Sequence, residues 1–524
     1  MAPFIKRRWQ IMSGLCLGLA ICYAQRTNLS VAIVEMADEL SWSDAEKSSA
    51  LSAFFWGYTA FMLPGGYFVL RFGGFFMFGA SALISTVLTG LVPYCASELG
   101  VGYVYALRAI TGAVEAATFP AIYALLAQWV PEMERGASVG LVFGAEQIGS
   151  ILGYSITGFL THRVNWQVSF YFFAVAGALA STFWLLVCSP DPDRDRWISA
   201  EERLEIIAGR QAGDGTHEGT NTSKRSSSVS SSKRGDSDAL ALPTNDLRES
   251  LLDHITGDGD ASGTMETVVD SDAATEAYDV GGKGPVVKEV DDILEVPLWK
   301  RIVFTWQLWP VYCQHFATNW SNYTLMTELP SYLDAQLDFD LEKAGLLLTA
   351  VFVAQWCGMA LGGIMADRML NGKGSYLSIL SWRDYWRGEK LRVRTLMTSL
   401  SMFGCAVFLV IGGYARLIWP ALTPYGVVGL IMPGLFLLGL CSGGWRTSVL
   451  ELAPSQSAAL YCFSNTMANV PGIATPLVTY LFTRDGASSS SLGWHAVFVL
   501  AAILNVSSGL IWLVGGSAEG IPGL

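Results

Sequence analysis

Five ionisable side chains lie inside otherwise apolar runs of this sequence: Arg26, Arg108, Glu115, Glu146 and Glu328. Placing a charge in hydrocarbon costs at least about 2.5–3.5 kcal/mol on insertion scales. Such groups therefore face a bundle interior or a wet cavity, where they bind ions, carry protons or pair with one another. The planar fork of arginine suits carboxylate or phosphate. A carboxylate in such surroundings is suited to carry a proton.

Spacing narrows the chemistry. The stretch RAITGAVEAATFPA holds Arg108 and Glu115, seven residues apart. Seven residues return to nearly the same helix face about 10 Å further on. Both side chains lean toward the helix N-terminus, so Arg108 leans away from Glu115 and no direct bridge is expected. Arg26 lies nine residues before Glu35, which puts it about 13 Å below the edge of its run. Arg108 follows Gly102 by six residues, a depth of about 9 Å. Two guanidinium groups at similar depth repel unless an anion joins them. One reading is an anion site with Glu115 lying deeper as a proton carrier. The other is a pair of structural arginines, each held by a glutamate or carbonyls, with Glu115 a fixed counter-charge. Glu146, in GAEQIGS, is a second deep carboxylate, for coupling or for a bond to Gln147 or a neighbouring helix. Glu328 and Pro330 fall near the outer end of a later run, where a gate would stand.

These groups need long helices to hold them. Only 15% of the 524 residues are charged and 52% are hydrophobic, against about 25% charged in an average soluble domain. Runs of about 20 apolar residues match a hydrocarbon layer of about 30 Å and exceed the strands of about 10 residues in a membrane barrel. The chain reads as an all-α polytopic membrane protein. Twelve spans are expected, at about 11–34, 49–70, 75–94, 102–130, 137–160, 166–188, 304–333, 344–366, 395–414, 424–445, 456–482 and 494–515. The first reads as a retained helix rather than a signal peptide, with no room before it for a transit peptide.

The two halves repeat. PGGYFVLR, ending at Arg71, aligns with LGGIMADR, ending at Arg368, and Trp166-x-x-x-Phe170 answers Trp494-x-x-x-Phe498. Three regions follow: a six-helix half over 1–189, a loop over 190–297 and a second half over 298–524. Such a repeat places a site near the midplane between the halves. Lys6, Arg7 and Arg8, and the cluster Arg368, Lys373, Arg383, Arg387, Lys390, Arg392 and Arg394, put both termini and the loop in the cytosol. In the loop, Ser199 and Glu202 form a helix-start signal. Residues 211–293 read as disordered. Serines beside Lys224, Arg225, Lys233 and Arg234 offer sites for a kinase, although a plain solvated linker is the preferred reading.

Other chemistry is not signalled. The nine cysteines and five histidines are scattered without metal spacing, and no phosphate-binding G-x-x-x-x-G-K-S/T loop appears. The net charge of −12 comes mostly from the loop, and no nucleic-acid footprint is visible.

Six motifs together resemble the anion transporters of the major facilitator superfamily, the group of sialin, the vesicular glutamate transporters and the sodium/phosphate and plant organellar phosphate transporters. They are RTNLSVAIVEM (26–36), AFFWGYTAFMLPGGY (53–67), RAITGAVEAATFPA (108–121), HFATNWSNYTLMTELPSYL (315–333), LELAP (450–454) and FSNTMANVPGIATP (463–476). The resemblance implies substrate contact by Arg26, Arg108, Tyr58 and Tyr323, a polar lining from Ser464 and Asn465, and proton coupling through Glu115. It also marks departures. Leu51 replaces the histidine of the glutamate transporters. Thr318, followed by Asn319, replaces their arginine, so Asn319 joins the expected binding set and glutamate is not the expected substrate. Val69-Leu70-Arg71 replaces an Ala-Asp-Arg/Lys gating motif that survives as Ala366-Asp367-Arg368. Glu146 stands at a usually small position, Ser448 replaces an asparagine, and Arg446 is an unexpected charge.

The expectation is a secondary transporter of an inorganic or organic anion, working by alternating access as a monomer in the bilayer. Protons or sodium drive it, through Glu115 or Glu146, without a cofactor. The membrane expected is the plasma membrane or an endomembrane such as the vacuole. A sodium-dependent phosphate symporter is the alternative within the class. A nutrient-sensing receptor on a transporter scaffold is the alternative outside it.

Overall fold

The computed structural model describes residues 6–214, 297–329, 332, 341–371, 390–483, 487–521 and 524. The first half contains α1 (Arg7–Leu40), α2 (Asp44–Phe72), α3 (Gly74–Tyr94), α4 (Val101–Glu115), α5 (Thr118–Trp129), α6 (Arg135–Arg163) and α7 (Trp166–Val187). A cross-linking helix, α8 (Ala200–Asp214), and the short α9 (Leu298–Phe304) follow. The second half contains α10 (Trp309–Tyr323), α11 (Leu341–Asn371), α12 (Lys390–Gly413), α13 (Pro424–Gly439), α14 (Trp445–Leu452), α15 (Ser457–Thr483) and α16 (Ala487–Gly515). Among the described residues nine helical segments are long and apolar enough to cross a membrane. With α2, α10 and α15 they make twelve spans.

Local chemistry sets the helix ends. α2 begins on a capping box: Glu46 N donates to Ser43 Oγ, and Ser43 N donates to Glu46 Oε2 at 2.8 Å. Ser199 caps α8 by accepting from Glu202 N at 3.2 Å. The Glu202 carboxylate does not close that box. It accepts instead from the backbone N–H groups of Arg7 and Arg8, at 2.8 and 2.9 Å. Glu202 thus satisfies the first amides of α1, which has no side-chain cap of its own.

Two spans are broken where the sequence reads continuous. α4 stops at Glu115, Ala116–Ala117 form a turn, and α5 resumes at Thr118. In the tenth span, α13 passes through a 3-10 turn at Leu440–Gly443 before α14 starts at Trp445. These are corresponding spans of the two halves, and such paired interruptions mark transport sites. The seventh span also differs from expectation. Thr305 separates it from α9, and it passes through a π-turn over Thr324–Glu328, with Leu329 helical beyond it. α8 extends to Asp214, so residues 211–214 are helical rather than disordered; the rest of the expected disordered stretch lies outside the described residues, as do Pro330, Lys373, Arg383 and Arg387.

The halves meet on the face that carries the start of α1, termed here the terminal face. A Cβ on Gly140 would lie 2.3 Å from Met359 O, and one on Gly363 would lie 2.0 Å from Gly136 O. Only glycine permits this approach of α6 to α11. Asp367 then accepts from Gly136 N at 3.0 Å and Ala137 N at 2.6 Å. A Glu132–Lys390 ion pair and a bond from Tyr123 Oη to Arg446 O at 3.2 Å join the same face. Below it, Arg394 grips Glu451 and donates to Gly443 O at 2.8 Å. Arg394 is fully buried, so it is not the solvated loop charge that the sequence suggested. Its position opposite a carboxylate on another span explains the burial.

Candidate functional site

A cavity of about 290 Å³ lies between the halves, on the far side of that contact. Its wall includes Arg26, Tyr58, Arg108, Glu146, Asn319, Tyr323 and Asn465. It reaches Ser30, which is exposed and lies one turn beyond Arg26 toward the α1–α2 loop. The cavity is therefore open away from the terminal face. Its volume is at the small end of ligand pockets, which run from about 300 Å³.

The aromatic floor positions the cations. Arg26 Cζ lies 4.3 Å from the Phe54 ring and 4.5 Å from that of Tyr23; Arg108 Cζ lies 5.2 Å from the same Phe54 ring. Close packing brings Phe54 there. A Cβ on Gly112 would sit 2.0 Å from Phe54 O, so α2 lies directly on α4. Tyr58 stacks on Phe54 at 5.5 Å and accepts from Asn465 Nδ2 at 3.1 Å, linking α2 to α15 across the cavity.

The two arginines differ in their partners. Arg26 Nη2 donates to Glu115 Oε2 at 2.8 Å, and Glu115 Oε1 accepts from Ser85 Oγ at 2.6 Å. Among the described residues Arg108 makes no hydrogen bond or ion pair, although it is buried and its Nε has no partner. Of the two arginines expected to contact an anion together, both line the cavity, and Arg26 is ion-paired with Glu115 in this structure. The long Arg26 side chain reaches Glu115 from α1 across the Phe54 ring of α2, which lies on α4.

Other expected residues divide in the same way. Asn319 lines the cavity and donates to Ala468 O at 2.9 Å. Ser464 is fully buried and does not form the wall. Its Oγ is 2.8 Å from His315 Nδ1, and His315 is the group that faces the cavity. Glu115 also lies behind the wall, under Arg26. Glu146 is on the wall, with Gln147 Nε2 donating to it at 3.2 Å.

The match to known sequences runs the length of this architecture: the Major Facilitator Superfamily matches residues 15–476. The chain belongs to that superfamily. Human sialin is 26% identical over 96% of this chain and 88% of its own. A putative inorganic phosphate cotransporter of Drosophila melanogaster is 25% identical over 98% of this chain and 85% of its own. The chloroplastic ascorbate transporter of Arabidopsis thaliana is 24% identical over 98% and 76%. A proton:xylose symporter solved with 6-bromo-6-deoxy-D-glucose shares the fold, with a TM-score of 0.62 at 13% identity, covering 98% of both chains. This major facilitator protein is accordingly an integral multi-pass membrane transporter, related to sialin and to phosphate and ascorbate transporters, and not an enzyme.

Within that fold, sequence reasoning missed Tyr23, His315, Gln355, Arg446 and Tyr461 on the cavity wall. For Arg446 the signal was present. Arg446 and Glu146 are both unexpected charges, of opposite sign, and the structure places them 3.9 Å apart across the two halves.

Proposed function

We propose that the protein moves a small anion by alternating access, with Arg108 as the substrate contact. One observation carries this reading: among the described residues Arg108 is the buried cation of the cavity wall with no hydrogen bond or ion pair, beside an Arg26 already neutralised by Glu115. A buried charge without a partner is costly, and an entering carboxylate or phosphate removes that cost. Tyr58, Tyr323, Asn319 and Asn465 supply hydrogen bonds around it.

Coupling follows from the same geometry. A proton on Glu115 releases Arg26 to join Arg108 on the anion. Uptake is then driven by a proton gradient, with sodium as the alternative ion. The relatives named for phosphate, for ascorbate and as sialin support a small anionic substrate. The basic residues near the terminal face support its lying in the cytosol, where it is closed in this conformation.

Proteoliposome uptake tests the proposal. A panel of phosphate, sialic acid, carboxylates and amino acids is offered with and without a pH or sodium gradient. Arg108→Ala abolishes uptake of whichever anion is accepted. Glu115→Gln keeps exchange and loses gradient-driven accumulation. Full uptake by the Arg108 variant refutes the anion site.

A further inference from the structure

Arg446 opens α14, just beyond the break in the tenth span. Its side chain lines the cavity, is 7% exposed, and leaves Nε and Nη1 without hydrogen-bond partners. The nearest carboxylate is Glu146, with Nη1 and Oε1 3.9 Å apart. That distance is too long for a hydrogen bond. The Phe143 and Trp445 rings hold the guanidinium in place, at 5.2 and 5.6 Å. A helix N-terminus adds its own positive end to this spot. Arg108 occupies the fourth span and Arg446 the tenth, the same span of the two halves.

We propose that Arg446 is the second half's substrate anchor, and that a compact dianion bridges Arg108 and Arg446, displacing the Glu146 carboxylate. This inference rests on the reading of Arg108 as an anion contact. Charge balance separates the two ligand classes. Glu115 neutralises Arg26, Glu146 faces Arg446, and Arg108 alone is uncompensated. A monoanion completes that balance without touching Arg446. A second acidic group reaches Arg446 only by taking the place of Glu146. The ammonium of a zwitterion would have to enter among three guanidinium groups.

Displacement has a consequence for protons. Glu146 is faced by Arg26 and Tyr23 from α1, by Arg446 and Cys441 from the tenth span, and by Gln147 on its own helix. Tyr123, Tyr323 and Tyr461 face it from α5, α10 and α15. Arg26 is held by Glu115, so once the ligand occupies Arg446 no cation remains for Glu146. It takes a proton from the medium. Dianion binding then consumes a proton, and monoanion binding does not.

Titration calorimetry on the full chain, in two buffers of different ionisation heat, reads affinity and proton uptake together. Succinate and butyrate are the probes, alike in length and different in charge. Wild type binds succinate more tightly and takes up about one proton with it by linkage. Arg446→Gln weakens succinate roughly 10- to 100-fold, the range of a lost charged hydrogen bond, and leaves butyrate unchanged. Glu146→Gln binds succinate without proton uptake. The proposal is overturned if wild type shows no preference for succinate, or if Arg446→Gln affects both probes alike or neither. Should Arg446→Gln fail to fold, Glu146→Gln decides, and persistent proton uptake there overturns it. Arg108→Gln is the separate control. If it retains both probes, the reading of Arg108 fails, while the selective loss of succinate in Arg446→Gln still decides the role of Arg446.

Discussion

Arg26 and Glu115 form an ion pair across α1 and α4, Nη2 to Oε2 at 2.8 Å, so the glutamate seven residues from Arg108 serves a different arginine. Arg26 remains 18% exposed on the cavity side, while Glu115 is 1% exposed. The cation therefore shields the anion from the cavity. Anything that engages Arg26 from the cavity also alters the charge balance of Glu115 behind it.

This pair should be strongly coupled in stability. Arg26→Gln leaves Glu115 buried without its cation, at a cost on the order of 3–5 kcal/mol. Adding Glu115→Gln removes the stranded charge. The double variant is expected to melt at a higher temperature than Arg26→Gln alone, measured in detergent without ligand. Equal melting of the two would show that the pair contributes no coupling.

Arg108 calls for the fork, and a charge alone is insufficient. Arg108→Lys keeps the charge on the cavity wall but presents an ammonium in place of a planar donor set. Substrate uptake at a fixed subsaturating concentration is expected to fall at least tenfold, the equivalent of about 1.4 kcal/mol. Wild-type uptake by the lysine variant would mean that Arg108 acts only through its charge.

The sequence made the spans legible because length and apolar composition decide them locally. Residue type and depth brought Arg108 to notice, and the motif resemblance brought Tyr58, Tyr323, Asn319 and Asn465. Pairing between helices was not legible, since it depends on packing that no local pattern encodes. Arg394 read as a loop charge until Glu451 appeared opposite it. No local pattern showed that Arg26 would pair with Glu115 on α4. The break at Ala116–Ala117 did carry a signal, Pro120, which has no N–H to give to Ala116 O and disfavours a continuous helix there. The break in the tenth span also carried a signal, Gly443–Gly444, beside the unexpected Arg446.

Asp367 acts as a lock on the terminal face. Its carboxylate accepts from two first-turn amides of α6, on the opposite half. At the corresponding place in the first half stands Leu70, which is 42% exposed and cannot accept a hydrogen bond. The lock is one-sided. Asp367→Asn weakens bonds worth about 1.5–3 kcal/mol to a charged group, which shifts a two-state equilibrium roughly 10- to 100-fold toward opening. A cysteine at Met359, in the seam, reports it. Labelling by an impermeant maleimide from the terminal face is expected to quicken in the Asp367→Asn background. Unchanged labelling would exclude the lock.

The strap formed by α8 should respond to acid in a defined window. Glu205 accepts from Arg8 Nη1 and Nη2 at 3.0 Å each and from Lys6 Nζ at 2.8 Å. The Arg8 hydrogen bonds, with those of Lys6 adding to them, hold its carboxyl down to about 2. A carboxyl held below its unfolded value contributes stability that is present above that value, about 4.3. The contribution is lost as the pH falls through the folded value. Docking of α8 is therefore expected to be constant at neutral pH and to loosen between about 4 and 2. Glu205 is 42% exposed, so solvent screening makes the effect modest. Hydrogen exchange over α8 and the first turn of α1, corrected for intrinsic rates, measures it. Glu205→Gln should loosen α8 at neutral pH and flatten the acid response. Glu202→Gln should instead speed exchange at the amides of Arg7 and Arg8, whose acceptor it weakens. The same acid response in the Glu205 variant as in wild type would show that another group controls the strap.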